Sequence, residues 1–156
     1  MAARLRAALG GLEDETGAPV HVAVHHHAVP PEVGAALARS STVVLPVVVQ
    51  PWRVVVGPLT GSPGRPCLHC LDLHRRDRDQ AWPAVVSVLG HPVEQVARVD
   101  VPEAVAATVE GLVMLLVSTV LGGGSVSPGA GYEVGRSAPH VVVRRWTVHP
   151  GCPWHG

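Results

Sequence analysis

Hydrophobic and polar positions follow two different spacings along this chain of 156 residues, and the spacing changes several times between its ends. Residues 19–29, PVHVAVHHHAV, alternate apolar and polar side chains as a half-buried strand does. Residues 42–49, TVVLPVVV, form a continuous β-branched run that is typical of a strand buried on both faces. Pro46 indicates an edge position or a bulge in that strand. The turn QPW and the strand RVVVG follow, which predicts a hairpin-like return.

Helical patterns separate these strands. Residues 2–13 predict a short helix, followed by a loop to residue 18, and the segment PPEVGAALARS predicts a second helix with Glu32 in its first turn. A strand stands on either side of the second helix. The sequence therefore predicts a strand–helix–strand unit, with a right-handed crossover if the two strands lie parallel. The segments LDLHRRDRDQAW and WPAVVSVL predict two further helical stretches with a break before Pro83.

The longest apolar segment is VAATVEGLVMLLVSTVL, residues 105–121. Pro102 and Glu103 precede it and three glycines follow it, which are the expected signals for the two ends of a helix. It is shorter than the roughly 20 residues of a membrane span and carries Glu110, so a buried helix is predicted. GYEVG and HVVVRRWTV predict a C-terminal β-hairpin. These elements predict one α/β domain over residues 1–156.

Composition limits the classes of function. Lys+Arg and Asp+Glu both number 12, so the formal net charge is zero and gives no indication of binding to nucleic acid or to an anionic membrane. The N-terminal segment lacks the apolar run of a signal peptide. We therefore expect a cytoplasmic protein, in which a CxxC spacing indicates metal or redox chemistry before structural disulfides.

The three cysteines of the chain fall into two short motifs. Cys67 and Cys70 form a CxxC motif, and Cys152 and His155 form CxxH near the C-terminus. Three thiolates and one imidazole are a complete tetrahedral ligand set for a structural zinc ion, and Gly and Pro around both motifs favour the turns that such a site needs. His149 and His69 are alternative fourth ligands. A Cys67–Cys70 redox pair and free thiols are the competing interpretations, although a long Gly/Pro loop before the CxxC disfavours a thioredoxin-type motif.

The block GPLTGSPGRPCLHCLDLHRRDRDQAWP and the tail RRWTVHPGCPWHG resemble the ThiF/MoeB/HesA family, the ubiquitin-activating-enzyme-like adenylyltransferases. The similarity is greatest to an actinobacterial branch of cyclodehydratases in thiazole/oxazole-modified peptide biosynthesis. It runs from about residue 42 to the C-terminus and is most specific in these two segments. The resemblance implies a partial Rossmann-like fold with a zinc knuckle, corresponding to the back half of the family domain. It carries over Cys67, Cys70 and Cys152 as ligands, whereas His155 stands in place of the family's second C-terminal cysteine.

The family features that bind ATP do not occur in this sequence. There is no GxGxxG motif, and the chain contains no lysine for a phosphate. We therefore expect a scaffold or partner subunit of modified-peptide biosynthesis that has structural zinc and no ATP-binding activity of its own. The alternatives are an ATP-dependent adenylyltransferase that needs a second chain, and an unrelated small zinc-binding interaction module.

A half domain is expected to expose an apolar sheet edge, so a partner is predicted. This partner would be a cyclodehydratase, an activating-enzyme subunit or a second copy of the chain, and a precursor peptide is a further candidate. Neither nucleic acid nor a membrane is expected as a partner. The histidines of VHHH and the acidic residues after the CxxC are interpreted as solvated side chains. The arginines among those acids are predicted to pair with them along a helix.

Overall fold

The computed structural model describes residues 1–9, 20–38, 42–61, 64–89 and 99–155. The strands in these ranges form one sheet in the order β1–β2–β3–β4–β5. The elements are, in chain order, α1 (Ala2–Leu9), β1 (Val20–His26), α2 (Pro31–Ala38), β2 (Val43–Val49), β3 (Arg53–Val56), α3 (Leu68–Arg78), α4 (Trp82–Leu89), α5 (Glu103–Leu121), β4 (Ala130–Gly135) and β5 (Val141–Arg145).

The first two strands confirm the predicted strand–helix–strand unit. β1 and β2 pair in parallel from Val20↔Val43 to His26↔Val49, with α2 in the connection between them. β3 then returns antiparallel to β2, and β4 and β5 add two more antiparallel pairs. The sheet is therefore mixed: the crossover between β1 and β2 gives one parallel pair, and the other three neighbouring pairs are antiparallel.

Helices cover the two faces of this sheet. Alternate residues of β2 face opposite sides, and Val47 and Val49 join the main apolar core with α1 and α5. Val48 packs instead with Leu68 of α3 and the partly buried Val33 of α2. β2 is therefore buried on both faces, as its continuous apolar run predicts.

Pro46 lies in an interior strand, so of the two predicted alternatives, an edge position or a bulge, the structure shows the bulge. Its carbonyl accepts a hydrogen bond from Gly57 N at 2.8 Å, at the point where β3 has already ended. The pairing shifts by one residue between Val47↔Val56 and Val44↔Thr60, and Gly57 takes a positive φ within this bulge. The missing N–H of proline thus falls where the regular ladder is interrupted, which explains why a central strand tolerates it.

The long helix α5 begins at Glu103 and ends at Leu121, close to the predicted bounds. Arg4 of α1 forms ion pairs with Glu103 and Glu110, which joins the two helices at the surface. α5 is the one helix in the described ranges that is long and apolar enough to cross a membrane, a property that the core helix of a soluble protein also has. Its buried residues lie in the apolar core against the sheet.

Other predicted boundaries differ at their ends. α1 ends at Leu9 in the described residues, and positions 10–13 of its predicted extent lie outside them. The break before Pro83 is confirmed, since α3 ends at Arg78 and α4 starts at Trp82. β5 ends at Arg145, so the last part of the predicted strand HVVVRRWTV is a loop that leads to the C-terminal CxxH.

Gly129 shows how tightly this C-terminal hairpin packs. Its φ is +69°, and a Cβ atom there would lie 1.8 Å from the carbonyl oxygen of Trp146. Gly123 has a similar φ of +71°, but no atom lies within 4 Å of the position of its Cβ. Substitution of Gly123 would therefore introduce backbone strain alone, whereas substitution of Gly129 would introduce both backbone strain and a steric clash.

We expect Gly129→Ala to lower the free energy of unfolding by at least roughly 3 kcal/mol, because left-handed strain and a backbone clash add together. Gly123→Ala should cost only about 1–2 kcal/mol, the cost of the left-handed conformation alone. Urea denaturation followed by far-UV circular dichroism measures both values. Equal destabilisation by the two substitutions would contradict the close packing at Gly129.

Candidate metal centre

The CxxC motif lies at the N-terminal end of α3. Cys67 is the N-cap residue with extended backbone angles, and Cys70 lies in the first turn of the helix. Both side chains are buried, and their sulfur atoms are 3.6 Å apart. The change from extended to helical backbone at Cys67 turns the two thiols toward the same point, as a knuckle requires.

The CxxH motif forms a tight turn at the other end of the sequence. Cys152 N donates to the carbonyl of His149 at 2.9 Å, and His155 N donates to the carbonyl of Cys152 at 3.4 Å. These bonds fold residues 149–155 back on themselves. They bring the Cys152 sulfur to 3.7 Å from that of Cys67, although 85 positions separate the two residues.

The structure brings all four predicted ligands together. Their sulfur and nitrogen atoms lie within 4.8 Å of one another, and together they form a group that could hold a metal ion. The ligands of a tetrahedral zinc ion, with sulfurs at about 2.3 Å from the metal, lie roughly 3.8 Å apart along each edge. The separations between the Cys67 sulfur and the other two sulfurs match that value and are far longer than the ~2.05 Å of a disulfide.

His155 shows the clearest sign of a missing bonding partner. Its Nε2 atom is buried and has no hydrogen-bond partner in the described residues. A buried ring nitrogen without a partner is costly, and coordination of a metal would satisfy it. This fits His155 as the fourth ligand.

Burial decides the protonation of the thiols. It raises the pKa of Cys67 to about 12, and it also raises the pKa of Cys152. Without a cation these thiols stay protonated and are poor nucleophiles, which argues against the redox-pair interpretation even though Cys67 caps a helix. A bound divalent cation would displace the protons, because it favours the thiolate strongly.

The two alternative histidines have other roles. The ring of His69 packs on Trp154 with the ring centroids 5.2 Å apart. His149 is buried, accepts a hydrogen bond from Gly151 N at its Nδ1 atom, and donates from Nε2 to Asp77 Oδ2 at 2.7 Å. His149 thus joins the C-terminal turn to α3 beside the candidate ligands.

The acidic residues of α3 have structural partners. Asp72 accepts hydrogen bonds from Arg75 and from the indole of Trp82, both at 3.2 Å. The carboxylate of Asp77 forms an ion pair with Arg76 at 3.3 Å and also accepts the hydrogen bond from His149. The predicted pairing of acids and arginines along the helix is confirmed for these two pairs. The link between Asp77 and His149 was not predicted, because no sequence motif pairs an acid of α3 with a histidine 72 positions away.

The histidines of β1 do not form a second centre. In the ranges that the structure describes, the cysteine–histidine group at the end of α3 is the one group of three or more potential ligands. His21 and His25 lie in β1, an edge strand of the sheet. Burial lowers the pKa of His25, with smaller contributions in the same direction from His21 and His26.

No family model and no curated protein sequence matches this chain. Solved structures with a similar fold include the heterocyclase TruD, with a TM-score of 0.67, 17% identity, and coverage of 99% of this chain and 25% of that one. A heterocyclase in complex with substrate and cofactor aligns with a TM-score of 0.62 at 17% identity over 99% of this chain and 23% of that one. MccB from E. coli, in a complex with ATP, aligns with a TM-score of 0.61 at 14% identity, over 95% of this chain and 41% of that one.

These similarities show the fold. This chain has the α/β architecture of one part of each of those proteins, and it spans between 23% and 41% of their lengths. The mixed sheet of five strands is consistent with the partial ThiF-like fold that the sequence block implies.

The contact between His149 and Asp77 predicts a pH effect. The hydrogen bond from His149 is the main cause that lowers the pKa of Asp77 below its ordinary value of 3.8. A carboxyl with a lowered pKa in the folded state adds stability above pH 3.8, and this contribution is lost as the pH falls through the folded-state pKa. We expect His149→Ala to move the Asp77 pKa upward, as followed by carboxyl NMR titration, and to weaken the acid dependence of stability.

The matched control is His74→Ala. The ring of His74 packs edge-on against His149 with a centroid distance of 4.8 Å, and its Nε2 atom bonds the carbonyl of Thr147 rather than Asp77. An Asp77 pKa that rises equally in both variants would show that general loosening of the turn, rather than the hydrogen bond, is responsible.

Proposed function

We propose that this chain is a zinc-stabilised, ThiF-like component of modified-peptide biosynthesis, of the thiazole/oxazole or bacteriocin type, that acts as a scaffold or partner subunit. The observation that carries the proposal is the presence of the Cys₃His group in a fold that aligns with two heterocyclase structures. The sequence block from Gly57 to Pro83 adds the resemblance to the same class of proteins.

Zinc is the metal that the ligand set favours. Three sulfurs and one imidazole suit a borderline-soft ion with tetrahedral geometry. Four protein ligands leave no open position for water, so the site is structural rather than catalytic. Its role would be to hold the C-terminal turn against α3, where Leu73 and Val148 provide the surrounding apolar packing.

A supporting role is favoured over catalysis by this chain alone. The sequence contains no GxGxxG motif and no lysine that would hold the phosphates of ATP. The activity of a whole adenylyltransferase or cyclodehydratase would then come from an assembly. In the alternative, this chain forms part of an ATP-dependent enzyme together with a second chain.

The edge of the sheet offers a surface for such an assembly. β5 pairs with β4 on one side only, and Val141 and Val143 are 47% and 57% exposed. An open strand edge with exposed β-branched residues favours pairing with another chain. We propose that a partner protein or a second copy occupies this edge in the cytoplasm.

Metal content tests the zinc site. We expect the purified chain to carry one zinc ion, measured by mass spectrometry of metals, and to melt at a lower temperature after removal of the metal by a chelator. Cys67→Ser and His155→Ala should lower the zinc content or affinity because each removes a ligand. His69→Ala is the matched control, since His69 packs on Trp154 outside the ligand group. Unchanged zinc in Cys67→Ser would overturn the ligand set.

Nucleotide chemistry tests the supporting role. We expect the pure chain to show no ATP–pyrophosphate exchange, because it has none of the sequence features that hold ATP in the resembling family. Clear turnover, at a rate proportional to the concentration of the chain, would contradict the scaffold role and favour the adenylyltransferase alternative.

Sedimentation analysis tests whether a second copy of the chain pairs with the open edge of β5. A monomer at all concentrations would rule out this second copy and leave a different protein as the partner.

A further inference from the structure

A groove of about 400 Å³ lies on the part of the sheet next to the end of α3. Its floor is polar: Arg53 of β3, Glu133 of β4 and Arg144 of β5 project from the same face, as the strand registers require. Arg78 and the indoles of Trp82 and Trp146 line its side. Antiparallel strands commonly turn one polar face to solvent, and here that face leaves the side chains of Arg53 and Arg144 partly accessible.

Positive charge is concentrated in this groove. Five of the twelve basic residues of a neutral chain line it, and one carboxylate, that of Glu133, lines it with them. The five are Arg53, Arg75, Arg78, Arg144 and Arg145. The local excess of positive charge is therefore not a property of the overall composition.

The internal ion pairs leave part of this charge uncompensated. Arg53 and Arg144 share a single oxygen of Glu133, at 3.0 and 3.1 Å, so two guanidinium groups are balanced by one carboxylate. Arg75 is paired with Asp72. Arg78 has no carboxylate partner in the part of the chain that the structure describes, and its guanidinium carbon lies 5.3 Å from the centroid of the Trp146 ring.

The two tryptophans hold these cations in place. The guanidinium carbon of Arg75 lies 5.1 Å from the ring of Trp82 and 5.6 Å from that of Trp146. The Trp146 indole packs directly over β4, since a Cβ added at Gly131 would lie in ordinary contact with it, 3.5 Å from Nε1. A guanidinium that rests on an aromatic face keeps its N–H groups free at the edge, where they can donate to an anion without first losing side-chain freedom.

We propose that this groove binds a ligand that carries an oxyanion, with Arg78 and Arg144 donating to it from two sides and the indoles of Trp82 and Trp146 contacting its body. Planar guanidinium groups match carboxylate and phosphate oxygens in geometry, and the volume lies in the range of small-molecule sites. The oxyanion comes from a phosphate or from an acidic side chain of a peptide. The site does not depend on the metal centre or on the proposed function.

Calorimetric titration of the full chain with two separate probes tests this proposal. One probe is inorganic pyrophosphate, and the other is the acetylated, amidated dipeptide Glu-Glu. We expect saturable binding of at least one probe that weakens as sodium chloride is raised, with a change in tryptophan fluorescence. Arg78→Gln and Arg144→Gln should each weaken that binding about tenfold or more, because each removes charge-assisted hydrogen bonds.

Arg76→Gln is the matched control. Arg76 also belongs to α3 and its loss changes the net charge equally, but it pairs with Asp77 and does not line the groove. We expect it to change affinity by less than about twofold, as for a screened surface charge. Far-UV circular dichroism confirms the fold of each variant, and two separate groove variants keep the test valid if one fails to fold.

The outcomes separate the sources of the oxyanion. Binding of pyrophosphate alone identifies phosphate as the ligand group, binding of the dipeptide alone identifies peptide carboxylates, and binding of both supports the shared chemistry. Absence of saturable binding with either probe overturns the proposal. Equal weakening by Arg76→Gln and Arg78→Gln also overturns it, because attraction to overall charge would then explain the binding.

Discussion

The C-terminal turn meets the start of α3 through three buried sulfurs and one imidazole, and this contact joins the end of the chain to its middle. Two backbone hydrogen bonds shape the turn, and His149 donates a hydrogen bond to Asp77 in the last turn of α3. Few apolar side chains surround the sulfurs. Because little apolar area is buried here, a bound metal ion would add to the stability of this contact.

The same contact sets the position of α3 against β5 and the loop that follows it. Trp146 follows the last residue of β5 and reaches the arginines of α3, while three residues further on His149 reaches Asp77. The arginine groove and the candidate metal centre therefore lie at two ends of one interface. The two sites share this segment of the chain but no residue, because Trp146 lines the groove whereas Cys152 and His155 belong to the ligand group.

The sheet has one parallel pair and three antiparallel pairs, and its two faces differ in how far they are covered. α5 covers the core face with six buried residues, and the opposite face is covered near β2 but polar near β4 and β5. This asymmetry follows from the order of the strands, because β4 and β5 lie at the far side of the sheet from α2, the helix that connects β1 and β2. It leaves an open edge and a charged groove on the same side of the molecule.

Element types were predictable because they depend on local spacing. Alternation over residues 19–29, the β-branched run at 42–49 and the end signals around α5 each reflect backbone preferences within a few residues, and the corresponding strands and helix are present. The candidate ligand group was also predictable, since each half is a turn of four residues with its own geometry. These features needed no knowledge of how the chain closes on itself.

Tertiary structure decided which distant side chains meet. It placed Pro46 in an interior strand at a bulge, assigned His149 to Asp77 rather than to the ligand group, and gathered arginines from α3, β3 and β5 around two indoles. Sequence spacing carries no information on such encounters, because strand order brings together residues as distant as Arg53 and Glu133, which are 80 positions apart. The sequence by itself determined the local elements and the two halves of the cysteine–histidine group, whereas long-range packing alone decided the charge environment of the groove.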